Sequence, residues 1–91
     1  MILEMKKFGK ILNSRPAGRE AALRAKQIIN GTTDLKLIVL DMTEVDVLTP
    51  SFADEFYNGI KEYYPNCEIQ ISGYESNQTI KDTLVALKII Q

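Results

Sequence analysis

The chain has 91 residues, 45% of them apolar, which suits one globular domain with a single modest core. Its 11 basic and 12 acidic residues leave a net charge of −1, without the basic excess that nucleic acid or an anionic membrane surface would call for. It contains no histidine, which excludes Ser-His and Cys-His nucleophile pairs, imidazole metal ligands and a histidine phosphorelay on this chain.

The N-terminal Met-Ile-Leu-Glu-Met-Lys-Lys lacks a signal-peptide core, and the longest apolar run is far short of a membrane span. Ile2 to Met5 and Phe8 to Leu12 read as two short strands or as one strand bent at Gly9. Lys6, Lys7 and Lys10 beside them read as a solvated face. Ser14-Arg15-Pro16 marks a helix entry, and the helix runs to about Asn30 with Gly31 as its cap. Gly18, Ala21, Ala22, Ala25, Ile28 and Ile29 share its inward side, a stripe small enough to let the helix sit close to its neighbours. Leu23 points the other way.

Leu35 to Leu40 is apolar on both faces apart from Lys36, as expected of a central strand, and Asp41 ends it. Thr49 is placed as an N-cap with Pro50 at the first helical position and Ser51 just inside. That helix runs to about Tyr64 and buries Phe52, Ala53, Phe56, Gly59, Ile60 and Tyr63. Pro65-Asn66 stops it. Its other face carries Ser51, Glu55, Asn58 and Glu62, spaced three and four apart and therefore expected in solvent. Cys67 to Ser72 alternates as a half-buried strand. A last helix, about Asn77 to Ile90, buries Ile80, Thr83, Leu84 and Leu87, with Val85 and Ile89 on its far side. The order implies an α/β fold, a single-layer mixed but mostly parallel sheet packed with helices and joined by right-handed crossovers.

Asp41-x-x-x-Val45 followed by Leu48-Thr49-Pro50-Ser51-Phe52-Ala53-Asp54-Glu55-Phe56 resembles the STAS-like family of small bacterial and phage domains, related to anti-sigma-factor antagonists. Phe8-Gly9 and Ser14-Arg15 before a helix resemble the family's N-terminal portion. The likeness spans roughly residues 8 to 71. It implies a single STAS-like domain over residues 1–91, acting as a regulatory protein-binding module in signal transduction rather than as an enzyme. Its partner would be a kinase-like ATPase or an anti-sigma-type regulator that carries the nucleotide itself.

Ser51 is the candidate phosphosite, since backbone N–H groups and the helix dipole favour negative charge in a first turn. Phosphorylatable antagonists of the resembled kind read Asp-Ser-Ser-Gly at this corner. Aligned without a gap, Thr49-Pro50-Ser51-Phe52 matches only the second serine, so regulated phosphorylation does not carry over residue by residue. Thr49, the other hydroxyl, is assigned to capping.

Asp41, Glu44, Asp46, Asp54 and Glu55 are close in sequence, but without the spacing of a calcium loop. No metal, catalytic residue or cofactor is assigned, and no phosphate-cradling glycine loop is present. Arg15 either meets a carboxylate or phosphate of a partner or ties to the sheet end or an acid such as Asp41. The single cysteine, Cys67, makes no internal disulfide and fits a cytoplasmic protein.

Two functions follow. The first is non-catalytic docking of a protein partner through Ser51, Glu55, Asn58, Glu62 and Arg15. The second is a structural or homodimerising subunit that uses the outward apolar residues Leu23, Val85 and Ile89.

Overall fold

The computed structural model describes residues 1–32 and 34–91. It is a small α/β fold in which every strand pairing is parallel, among the described residues. β1 (Ile2–Glu4), β3 (Leu37–Asp41) and β5 (Glu68–Ser72) form a three-stranded sheet in the order β1-β3-β5. β2 (Ile11–Leu12) and β4 (Val47–Leu48) form a second, two-stranded one.

The two sheets share one cause. β1 leaves its pairing through a 3-10 turn over Met5–Phe8, and β3 leaves through a tight turn at Thr43-Glu44. Both chains then realign as β2 and β4, with Ile11 opposite Val47 and Leu12 opposite Leu48. The N-terminal segment is thus two strands, resolving the alternatives left open by Gly9. β4 is too short to leave a periodic signal and was not expected.

Three helices follow: α1 (Arg15–Ile29), α2 (Pro50–Tyr63) and α3 (Gln78–Ala86). Each starts on a side-chain cap. Ser14 accepts from the Ala17 N–H, Thr49 from Phe52 and Asn77 from Ile80. Strand alternation puts Leu3, Ile38 and Leu40 under the helices in the core, with Ile69 and Ile71 packed against it. Phe52 and Phe56 stack at 5.9 Å, and Phe8 closes on Phe56 at 5.7 Å.

α1 and α2 pack side by side and parallel. Gly18 lies against Phe52 and Glu55, Gly59 against Ala22, and the Tyr64 hydroxyl against the Lys26 carbonyl. The glycines make this approach. A Cβ on Gly18 would sit 2.7 Å from the Phe52 carbonyl oxygen, and one on Gly59 would sit 2.9 Å from the Ala22 methyl.

Several expectations change. Ile28 is not on the inward face of α1; it is 45% exposed, because the sheet and α2 take up the Ala21, Ala22, Ala25 and Ile29 side. α3 stops at Ala86 rather than near Ile90. There Lys88 takes a left-handed conformation (φ 60°), and the Ile89 N–H turns back to the Leu84 carbonyl at 2.9 Å. This reversal carries Ile89 and Ile90 onto the core, so Ile89 is half-buried rather than outward. Val85 stays outward at 44% exposure. The outward pair expected on the last helix is therefore broken.

Phe52 and Phe56 are each 2% exposed. Truncating either to alanine is expected to cost roughly 3–5 kcal/mol, a large part of the stability of such a domain. Chemical denaturation measures this, and an unchanged midpoint for either variant would contradict the assignment of α2's inward face.

Candidate functional site

The residues singled out from the sequence fall along the seam between α1 and α2. β2 and β4 lie side by side, so the helices that follow them start at the same end of the molecule. Ser14-Arg15 opens α1 beside Thr49-Pro50-Ser51 of α2, and the Thr49 N–H donates to the Leu12 carbonyl at 3.0 Å.

Arg15 is held within the chain. Its guanidinium donates to Asp54 at 2.9 Å and to Glu55 at 3.2 Å. Arg19, one turn on, donates to the other Glu55 oxygen at 3.2 Å. The hydrogen bonds to Asp54, then to Glu55, raise the Arg15 pKa above its ordinary value. So Arg15 ties to an acid as one alternative had it, though to Asp54 and Glu55 rather than Asp41. Arg19 was missed. Its only sequence signal is the one-turn spacing from Arg15, which places both cations on the side of α1 that meets Glu55.

This clamp also changes the exposure expected of α2's outer face. Glu55 is half-buried under the two arginines and Ser51 is half-buried at the shared helix entry, while Asn58 and Glu62 are exposed. Helical periodicity within α2 counted only the sheet side as covered; α1 covers a second flank.

Further along the seam the helices leave a shallow groove of about 230 Å³. Ala22 and Gly59 belong to its floor, and Arg19, Glu55, Asn58, Glu62 and Tyr63 line its walls. Asn58 donates its side-chain amide to Asp54 at 2.9 Å. Three of the expected partner-binding residues, Glu55, Asn58 and Glu62, thus meet at one concavity. Ser51 and Arg15 lie at its N-terminal end.

Four of the five neighbouring acids find partners at three separate places. Asp54 and Glu55 go to the arginines. Glu44 goes to Lys6 at 2.7 Å, and this contact lowers the Glu44 pKa and raises that of Lys6. The Asp41 carboxylate accepts from the Thr43 hydroxyl at 2.7 Å and from its N–H at 3.1 Å, which pulls the Asp41 pKa down. Gly73 (φ +76°) passes so close to this turn that a Cβ would run into Asp41 and Thr43. Among the described residues, no group of three or more Cys, Asp or Glu lies where it could hold a metal ion.

Cys67 is half-buried, with its thiol donating to the Leu35 carbonyl at 3.2 Å. Among the described residues, no helix is long and apolar enough to cross a membrane. Comparison with family models, with curated proteins and with solved structures finds no match to this chain.

Ser14, the α1 cap, has φ 75° and ψ 151°, a region that suits glycine and costs other residues about 1–3 kcal/mol. Glycine caps a helix only a few tenths of a kcal/mol less well than serine. Ser14→Gly is therefore expected to stabilise the domain by about 1 kcal/mol in thermal or urea denaturation. Destabilisation of that size would mean that the serine hydroxyl holds the junction.

Proposed function

We propose that this domain is a non-catalytic protein-binding module that docks its partner along the α1–α2 seam. The observation that carries this reading is the groove over Gly59 and Ala22, which gathers Glu55, Asn58 and Glu62 from one helix face and Arg19 from the other. It has polar walls, a small-residue floor and a pre-paired charge cluster at one end. A partner side chain entering it meets the Asn58 side chain and the Glu62 carboxylate without first having to break the Arg15 clamp.

We take the partner from the resemblance to STAS-like domains. It would be a kinase-like ATPase or an anti-sigma-type regulator in the cytoplasm, whose nucleotide state gates binding. A phosphoryl group on Ser51 would lie in α2's first turn, where N–H groups and the helix dipole favour negative charge, one turn from the Asp54 and Glu55 that hold Arg15 and would oppose it. Modification there would pull Arg15 away from its acids and reshape the end of the groove.

The structural-subunit reading has less to rest on. Leu23 (48% exposed) and Val85 lie on different helices, and Ile89 is half-buried against the core.

The test is affinity capture from the native host with and without ATP, comparing the wild type with an Asn58→Arg/Glu62→Arg variant. Both positions are exposed, so the variant should fold within about 0.5 kcal/mol of wild type. A kinase-like ATPase retained by the wild type and lost by the variant is expected. Equal retention by both, or capture of an apolar-patch partner that depends on Leu23 instead, would contradict the proposal.

A further inference from the structure

The three-stranded sheet is covered on one face only. Its order β1-β3-β5 advances in one direction, so right-handed crossovers put α1 and α2 on the same side. α3 joins them there, packing on α2 and β4 with Leu84 and Ile89 against Leu40 and Ile71. The alternate strand positions face away from all three helices. On that side Ile2 pairs with Val39 and Val39 with Gln70, while Leu37 pairs with Glu68. Ile2 is 67% exposed, and Leu37 and Val39 are half-buried.

Parallel sheets occur almost only with both faces covered, and their central strands read as continuous apolar runs for that reason. β3 has such a run, Leu37-Ile38-Val39-Leu40, and the fold uses only its Ile38 and Leu40 side. The remaining strip of Ile2, Leu37 and Val39 is built as a core face without a second layer. Its surroundings give the cover a charge. The strand positions on this face carry Glu4, Asp41 and Glu68 and neither Lys nor Arg. The adjacent Lys6 is already held by Glu4 at 3.4 Å and Glu44 at 2.7 Å.

We propose that the bare sheet face docks a basic amphipathic helix of a partner protein, with apolar residues over Ile2, Leu37 and Val39 and Lys or Arg reaching Glu4, Asp41 and Glu68. A second copy of this chain fits less well. Strands about 4.8 Å apart, two of five residues and one of three, offer only ~200 Å² per copy, against roughly 800 Å² per partner in a standard interface. Face-to-face copies would also lay an acid-rimmed strip on an acid-rimmed strip. A helix with a cationic rim completes the missing layer of the α/β architecture, pairs Glu68, and adds positive charge beside Glu4 and Asp41, which Lys6 and Thr43 already contact. This surface lies on the opposite side of the sheet from the α1–α2 groove, so it stands independently of the function proposed above.

The probe is a synthetic 14-residue Leu/Lys amphipathic helix, about 21 Å long, titrated into the ¹⁵N-labelled domain. The amides of Ile2, Val39 and Gln70 should shift in a saturable manner. Ile2→Ser and Glu68→Lys, both at exposed positions, should each weaken binding at least about fivefold while leaving the spectrum folded. A peptide with the same leucine pattern and Glu in place of Lys should leave these amides unmoved. Shifts confined to the α1–α2 groove, equal binding by both variants, or equal binding of the Glu peptide would overturn the proposal. So would concentration-dependent shifts of the same amides without peptide, which would make a second copy the occupant.

Discussion

The structure depends on how closely α1 approaches α2. Two helices whose contact residues carry side chains pack 8–10 Å apart. Here Gly18 lets the α1 backbone reach the Phe52 carbonyl, and Gly59 repeats the contact one turn on against Ala22. The consequences run outward from that seam. Arg15 and Arg19 come within reach of Glu55, and the Tyr64 hydroxyl reaches the end of α1 at the Lys26 carbonyl and the Asn30 side chain. The same small residues that bring the backbones together leave no side chains to fill the outer crease. The groove is the surface expression of the close contact beneath it.

The strands set the helices in phase. Because β2 and β4 resume side by side after their respective turns, Ser14 and Thr49 cap their helices at one edge. Charge at that edge is arranged locally: two arginines on two carboxylates, with Ser51 at the entrance. These ion pairs are exposed and contribute mainly orientation, since surface pairs add little to stability. Positioned this way, the clamp presents a fixed pattern to a partner and can be broken by a new negative charge.

Much of this was legible in the chain. The apolar run of β3, the Thr49-Pro50 helix start, the inward set of α2 and the small stripe on α1 are each periodic or stereochemical signals that act within one element, and the fold follows them. Residues whose placement depends on two elements were read less well. Ser51 and Glu55 lost exposure because α1 covers a flank that α2's own period cannot see. Ile89 moved inward because the chain reverses at Lys88, a left-handed residue that a lysine does not announce. β4 was invisible because two residues cannot establish an alternation. The run Leu37 to Leu40 pointed to cover on both faces, whereas the fold supplies cover on one; the same letters describe a finished core strand and a docking strip.

The close seam is tested most directly by the unfolding free energy of Gly18→Ala. Gly18 lies inside α1 without a left-handed backbone, so helix propensity alone would make alanine about 1 kcal/mol more stable. The new Cβ would instead meet the Phe52 carbonyl at 2.7 Å and the Glu55 Cβ at 3.1 Å, and the backbone contact has no flexible side chain to move aside. Urea denaturation should show a net loss of about 1–3 kcal/mol, the usual cost of overpacking. A gain of about 1 kcal/mol would show that the helices are not in backbone contact, and the groove would lose its structural basis.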